Sequence, residues 1–202
     1  MSIGISSSLV PADAVPFVPR RFTVEEYHRM AELGVLTEDD RVELLEGVIT
    51  PKMVHNPPHD GTIMQLVEAL RPLLPPGWSI RIQPAVTTSD SEPEPDIAIV
   101  RGTARDYMSR HPSAADVGLV VEVAESSLAR DRKKARLYAN AGVPVYWIVN
   151  LVDRQIEVNL RPAGSSESTG YQPTAVHRPG NVVPVIIDDE TVGALRVEDL
   201  LP

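Results

Sequence analysis

The sequence contains no cysteine. This excludes disulfide bridges, thiolate nucleophiles and zinc sites built on sulfur. Any metal ion must therefore be held by carboxylate, imidazole or carbonyl groups, and sets of oxygen ligands favour hard cations.

Long apolar runs are also missing. No stretch approaches the roughly 18 consecutive apolar residues of a membrane-spanning helix. The first twenty residues, MSIGISSSLVPADAVPFVPR, lack a basic segment followed by a long apolar one. We therefore expect neither a signal peptide nor a membrane anchor, and a cytoplasmic location follows as the default expectation.

The chain has no excess of positive charge. Its formal net charge is −9 and its pI is about 5.0, which argues against a protein that coats nucleic acid non-specifically. A nuclease is not excluded, because a bound metal can neutralise an acidic cluster and a local basic patch can hold phosphate. No glycine-rich phosphate-binding loop and no internal repeat is found.

The length of 202 residues fits one domain, or one domain with a tail. Residues 1–20 are rich in Ser, Pro and Ala and show no apolar periodicity, so we interpret them as a flexible arm. The remaining residues, 21–202, form the predicted domain.

Apolar spacing and turn residues predict an alternation of helices and strands. Helices are predicted over 23–34, 59–71 and 126–142, with Thr23 and Glu26 in capping-box spacing. Predicted strands cover two short segments around the turn at Glu46 and Gly47, followed by 78–88, 96–100, 117–124, 143–150, 154–161, 171–177 and 182–188. Residues 101–116 and 164–170 are predicted loops, and 197–201 a helical turn. This order predicts a mixed α/β or α+β domain around one central sheet.

One acidic residue interrupts the most apolar of these strands. Glu122 lies within GLVVEVAE, where Val120, Val121 and Val123 are its neighbours. A strand that is apolar on both faces is normally covered on both faces, and burial of a carboxylate is costly unless it is paired or bound to a metal. A salt bridge to a nearby base, or an edge strand with Glu122 in solvent, would also account for the pattern.

A second carboxylate, Asp96, precedes the strand IAIV. An Asp beside a proline at the start of a strand is common in turns. The case for a functional role of Asp96 therefore depends on its pairing with Glu122. If the two strands are neighbours, the carboxylates converge and repel each other unless a cation lies between them. Oxygen ligands of this kind indicate Mg²⁺ or Mn²⁺.

The helix after Glu122 carries the cluster ARDRKKARLY. Asp131, Lys134 and Tyr138 fall at i, i+3 and i+7 and share one stripe, so Lys134 is predicted to face the sheet. The remaining basic residues are predicted to face solvent. Two acidic metal ligands beside a lysine are suited to catalyse phosphodiester hydrolysis, because a metal activates water and a lysine neutralises developing charge.

The segments PDIAIV and VVEVAESSLARDRKKARLYANAGVPVYWIV together resemble the PD-(D/E)xK nuclease superfamily, and more narrowly its Uma-type branch of putative restriction endonucleases. The earlier segment RVELLEGVI and the helix beginning at His59 resemble the same branch. The resemblance covers residues 21–202 and implies a restriction-endonuclease-like fold. It further implies a DNA substrate and Mg²⁺ or Mn²⁺ held by Asp96 and Glu122.

The chain departs from the superfamily pattern at Ala124, where a lysine is expected two residues after the Glu. In the Uma-type branch a lysine on the following helix takes this place, and Lys134 matches it as a catalytic residue. The preceding loop is about one residue short of that pattern, so Lys133 competes for the role. Glu43 and His59 match further positions of the branch as auxiliary residues. Glu43 could equally be an exposed strand residue and His59 a surface residue.

A zinc pair formed by His55 and His59 is discounted, because Pro57 and Pro58 would break the helix that an i, i+4 spacing requires.

The leading hypothesis is a metal-dependent DNA endonuclease. The alternative is a non-catalytic module that keeps the fold and binds nucleic acid or protein. Pairing through the Val- and Ile-rich C-terminal strands would give a homodimer, and no membrane partner is expected.

The arm interpretation predicts that deleting residues 1–20 leaves the thermal midpoint almost unchanged, because a segment without apolar periodicity contributes little to the core. Thermal unfolding of the truncated and full-length chains provides the measurement. A large drop in midpoint would mean that the arm is docked.

Overall fold

The computed structural model describes residues 18–160, 171, 172 and 174–202. Most of the predicted arm and the whole 164–170 loop lie outside these residues. The described part contains the helices α1 (Val24–Glu32), α2 (Pro57–Leu70) and α3 (Leu128–Ala141). Its strands are β1 (Val42–Leu45), β2 (Val48–Pro51), β3 (Trp78–Ile82), β4 (Ile97–Arg101), β5 (Val117–Ala124), β6 (Val145–Asn150), β7 (Gln155–Leu160), β8 (Ala175–His177), β9 (Val182–Ile187) and β10 (Glu190–Arg196).

Helix α1 begins as its sequence predicts. The Thr23 hydroxyl accepts a hydrogen bond from the Glu26 backbone N–H, and the Glu26 carboxylate accepts one from the Thr23 N–H. This reciprocal pair is a capping box. The β1–β2 hairpin that follows turns at Glu46 and Gly47, both with positive φ, which is the geometry of a tight two-residue hairpin turn.

Helix α2 begins two residues earlier than the sequence predicts. Pro57 and Pro58 occupy its first positions, and Asn56 caps it by accepting a hydrogen bond from the His59 N–H. Prolines are well tolerated there because the first N–H groups of a helix have no partner within the helix. The prolines therefore start the helix and do not break it.

Six strands form the central sheet in the order β3-β4-β5-β6-β7-β8. Only β5 and β6 run parallel, and α3 connects them. All other neighbours are antiparallel. The result is a mixed sheet flanked by helices, as the sequence predicts. The predicted strand 78–88 ends early at Ile82 because Gln83 adopts positive φ and Pro84 follows.

The two faces of the sheet are covered by different elements. Apolar residues of α2 and β9 pack on one face, together with Leu119, Val121 and Val123 of β5. Leu137 and Tyr138 of α3 pack on the other face, which carries the alternate β5 positions. Since side chains alternate along a strand, Glu122 lies on the α3 side.

Strand β10 is not predicted from the sequence. It pairs with β9 to form a separate antiparallel hairpin, and the turn at Asp188 and Asp189 has positive φ at both residues. A register irregularity between Thr191 and Gly193 interrupts the alternation of side chains along β10. Because of this irregularity and its polar and small residues, the segment lacks the sequence pattern of a strand. The predicted C-terminal helical turn is present as a short 3₁₀ turn, Val197–Asp199.

Gly118 of β5 provides a test of this packing. A Cβ atom there would lie 2.7 Å from the Trp78 ring and 3.3 Å from Ile187. Gly118→Ala should therefore destabilise the fold by about 1–3 kcal/mol, the usual cost of overpacking. Gly61→Ala is the matched control, because a Cβ in that exposed part of α2 meets no atom within 4 Å; this helical change should stabilise the fold slightly. Chemical denaturation measures both, and equal stabilities would contradict the packing described.

Candidate active site

Asp96 and Glu122 lie across from each other on neighbouring antiparallel strands. The β4–β5 register pairs Ile97 with Val121 and Ala98 with Val120. Extending it by one residue places Asp96 opposite Glu122. Residues directly opposite each other on one face have Cβ atoms about 4.5–5.5 Å apart. Both carboxylates line a cavity of about 280 Å³ at this end of the sheet.

Asp96 is buried, and its side chain contacts the protein through one oxygen. Oδ2 accepts a hydrogen bond of 2.7 Å from the Val123 backbone N–H. The same oxygen lies 3.2 Å from Nε2 of His59. Both side-chain contacts found in the described residues thus use Oδ2, which leaves Oδ1 for another partner.

Glu122 is also held through a single oxygen. Its Oε1 accepts hydrogen bonds from Lys134 Nζ at 2.9 Å and from the Tyr138 hydroxyl at 3.1 Å. Lys134 and Tyr138 project from one stripe of α3, as their spacing predicts. Oε2 of Glu122 makes no hydrogen bond to the described part of the chain.

Lys134 is buried between two carboxylates. Its side chain is 7% exposed, and Nζ lies 3.3 Å from Oε1 of Glu43 in addition to its contact with Glu122. Burial alone would lower the pKa of Lys134, but the charges of Glu122 and Glu43 outweigh burial and raise it. The lysine therefore remains a cation near neutral pH.

Glu43 is buried in β1, so its alternative interpretation as an exposed strand residue is wrong. Its Oε1 binds Arg130 at 2.6 Å, and its Oε2 accepts a hydrogen bond from the Glu94 N–H at 3.1 Å. Both oxygens are thus engaged by the protein. In this arrangement Glu43 holds Lys134 and ties the β1–β2 hairpin to α3.

Lys133 is exposed on α3 and does not line the cavity. The arginines around it are largely paired: Arg132 binds Glu157 and Arg136 binds Glu46, each through two hydrogen bonds. Geometry therefore favours Lys134 over Lys133 as the lysine of the site. Most of the basic charge on α3 is neutralised within the protein.

His59 is buried at the start of α2 and contacts Asp96, so it is not the surface residue of the alternative interpretation. Burial opposes protonation of His59, but the contacts with Asp96 and Asp60 raise its pKa. No helix carries both His55 and His59, since α2 begins at Pro57. The expectation that the two residues therefore stay apart is wrong, because their imidazole rings stack with centroids 4.1 Å apart.

Burial strongly affects the acids of the cavity. It raises the pKa of Glu122 to about 8, against the opposing charge of Lys134 and with support from the nearby Asp96. It raises the pKa of Asp131 to about 6, although a hydrogen bond from Ser127 opposes the shift. These carboxyl groups crowd together without enough cation to balance them. The cavity is therefore suited to bind additional positive charge.

Asp131 is a buried acid of the cavity to which the sequence pattern assigns no role in the site. It is buried in the first turn of α3 and lines the cavity beside Lys134. Ser127, at the N-cap, donates its hydroxyl to the Asp131 carboxylate and makes no side-chain cap to the backbone. The shared stripe of Asp131 and Lys134 was the available signal, but a first-turn acid is also ordinary helix chemistry.

Comparison with known proteins identifies the class of the chain. A model of the Uma2 family, described as "Putative restriction endonuclease", matches residues 24–189. The match spans most of the sequence, and the chain therefore belongs to this family. The resemblance noted from PDIAIV and the α3 region is confirmed.

A solved structure shows the same fold. It is described as a putative nuclease belonging to DUF820 from Anabaena variabilis ATCC 29413. It is 18% identical to this chain, covers 89% of this chain and 97% of its own, and superposes with a TM-score of 0.67. Together with the mixed sheet described above, this similarity supports the restriction-endonuclease-like architecture. No curated protein matches the chain. Among the described residues, no helix is long and apolar enough to span a membrane.

Proposed function

We propose that this protein is a metal-dependent endonuclease that hydrolyses phosphodiester bonds in DNA. Asp96 and Glu122 would hold Mg²⁺ or Mn²⁺, and Lys134 would serve the transition state. Membership of a family described as "Putative restriction endonuclease" supports the reaction class. The observation that carries the proposal is the arrangement of the two carboxylates. Each is bound to the protein through one oxygen, and its second oxygen remains available to a cation.

The donor set fits a hard divalent cation. Two carboxylate oxygens converge on one cavity, and Mg²⁺ binds through one or two carboxylates while keeping several waters. When bound, the cation would polarise a phosphoryl oxygen and lower the pKa of a water. It would also relieve the repulsion between Asp96 and Glu122 that burial leaves uncompensated.

Lys134 would act as a fixed positive charge. Glu43 and Glu122 hold its ammonium at the cavity wall, and these acidic surroundings raise its pKa despite burial. A preorganised cation stabilises charge that develops on the attacked phosphate without having to move. Tyr138 fixes Glu122 from the same helix, so the lysine and the carboxylate keep their relative positions.

A non-catalytic module is the second candidate. The observation that favours it is electrostatic: the net charge is −9, and Arg130, Arg132 and Arg136 of α3 are all paired with glutamates. Such a surface offers little free positive charge to a nucleic acid backbone. Measurement of cleavage distinguishes the two candidates.

Replacement of Lys134 by Ala should reduce Mg²⁺-dependent cleavage of supercoiled plasmid DNA by roughly 100- to 1,000-fold, the usual cost of losing one charge-stabilising group. Lys133→Ala is the matched control one residue away on the exposed face, and it should cleave like the wild type. Asp96→Ala and Glu122→Ala should abolish cleavage together with cation binding.

Folding of each variant is checked by circular dichroism before its activity is compared. If Lys134→Ala cuts as fast as wild type, its catalytic assignment is wrong. If only Lys133→Ala is inactive, the role belongs to that neighbour. If the wild type never cuts DNA with Mg²⁺ or Mn²⁺, the non-catalytic candidate replaces the nuclease.

The raised pKa of Glu122 predicts how cation binding depends on pH. The carboxyl must lose its proton to bind a cation, so Mg²⁺ affinity should rise steadily between pH 6 and about pH 8 and then level off. The effect of Glu122 on folding stability without metal has the opposite dependence on pH. The folded chain keeps a proton on Glu122 that the unfolded chain loses above the ordinary pKa of 4.5, so this group contributes less stability as the pH rises from about 4.5 to about 8.

Calorimetric titration with Mg²⁺ in buffers of different ionisation enthalpy counts the protons released. Glu122→Gln removes both the titrating group and a charged ligand, so it should bind Mg²⁺ weakly and release no proton. Affinity that is independent of pH in the wild type would exclude Glu122 as a titrating ligand.

A further inference from the structure

A second group of metal-binding side chains lies at the rim of the cavity, on the residues that open α2. His55, His59 and Asp60 each offer one ligand atom within 4.8 Å of the other two. His55 precedes the helix and the other two lie in its first turn. This group contains two imidazole nitrogens, unlike the oxygen pair of Asp96 and Glu122, and therefore suits a different class of ion.

We propose that His55, His59 and Asp60 form a binding site for a transition-metal ion, with Zn²⁺ as the best-fitting ion. Imidazole nitrogen with one carboxylate is a common zinc ligand set. Three protein ligands leave a fourth position open for water or a phosphate oxygen. The binding of this ion does not depend on the proposed nuclease activity.

The distances between the ligand atoms fit a single ion. Nδ1 of His59 lies 3.3 Å from Oδ1 of Asp60, and Nδ1 of His55 lies 3.8 Å from the same oxygen. Ligands bound tetrahedrally at zinc distances of about 2.0–2.1 Å are separated by about 3.3 Å. His55 would have to move closer to Asp60 by about 0.5 Å to reach this separation.

Asp96 holds His59 in a suitable orientation. Nε2 of His59 lies 3.2 Å from Oδ2 of Asp96, while Nδ1 faces Asp60. A histidine that binds a metal through one ring nitrogen commonly donates the other N–H to a carboxylate. This partner fixes both the tautomer and the ring plane, so the lone pair of Nδ1 is directed to the proposed site.

His55 also presents its lone pair. Its Nδ1 lies 3.2 Å from the side-chain nitrogen of Gln83, which fits an amide donating to an unprotonated imidazole nitrogen. The side chains of His55 and Asp60 are 32% and 62% exposed, so an ion can enter from solvent. Gln83 would have to give up this contact when the ion binds.

The chain contains a comparable pair of histidines that serves as a control. His28 and His111 both approach the carboxylate of Glu92, but their ring centroids are 6.4 Å apart. Their ligand atoms do not meet the spacing that the His55 group meets, within the described residues. A variant at His28 therefore removes an imidazole beside a carboxylate without touching the proposed site.

The test is a calorimetric titration of tag-free, full-length protein with Zn²⁺ in the presence of excess Mg²⁺, which occupies oxygen-only sites. Wild type should bind one Zn²⁺. His55→Ala and Asp60→Asn should each weaken binding by more than about 10-fold, the lower end of what loss of a supporting partner alone costs. His28→Ala should bind like the wild type.

Nitrogen NMR of histidine-labelled wild type decides the site without any substitution. On addition of Zn²⁺, the Nδ1 resonances of His55 and His59 should shift, and those of the other three of the five histidines should not. Unchanged Nδ1 resonances at His55 and His59, or Zn²⁺ affinity that survives both His55→Ala and Asp60→Asn, would overturn the proposal. The NMR result holds even if a variant fails to fold.

Discussion

Burial of Glu122 is the constraint on which the rest of the site depends. A carboxylate in the middle of a fully covered strand costs free energy unless charge and hydrogen bonds compensate it. Lys134 and Tyr138 supply both from α3, which fixes how that helix lies on the sheet. The buried charge of Lys134 is in turn compensated by Glu43, and the charge of Glu43 is compensated by Arg130. One buried acid thus connects β5, α3 and the β1–β2 hairpin.

Much of the fold could be predicted because local patterns agree with it. Apolar strands, the Thr23 capping box and the glycine at the end of α3 each specify an element within a few residues. The prediction fails where contacts between distant parts of the chain determine the local structure. β10 forms because β9 pairs with it and Leu73 packs closely on Gly193. Prolines that look like helix breakers become the start of α2 once Asn56 caps it.

The same distinction applies to the site. The α3 stripe placed Lys134 correctly beside Glu122, because helical spacing is a local property. The burial of Glu43 could not be predicted, since it depends on contacts with Arg130 and Lys134, which lie about ninety positions further along the chain. The meeting of His55 with His59 depends on a helix boundary, which is the least certain feature of any sequence pattern.

The paired arginines of α3 also bear on the thermodynamics of any DNA complex. Cations already engaged with Glu46 and Glu157 cannot displace many counterions from a phosphate backbone. Binding would then draw little of its free energy from the entropy of released ions, and its affinity would fall only gently as salt is added. Recognition would depend instead on the few groups inside the cavity that meet one phosphate directly.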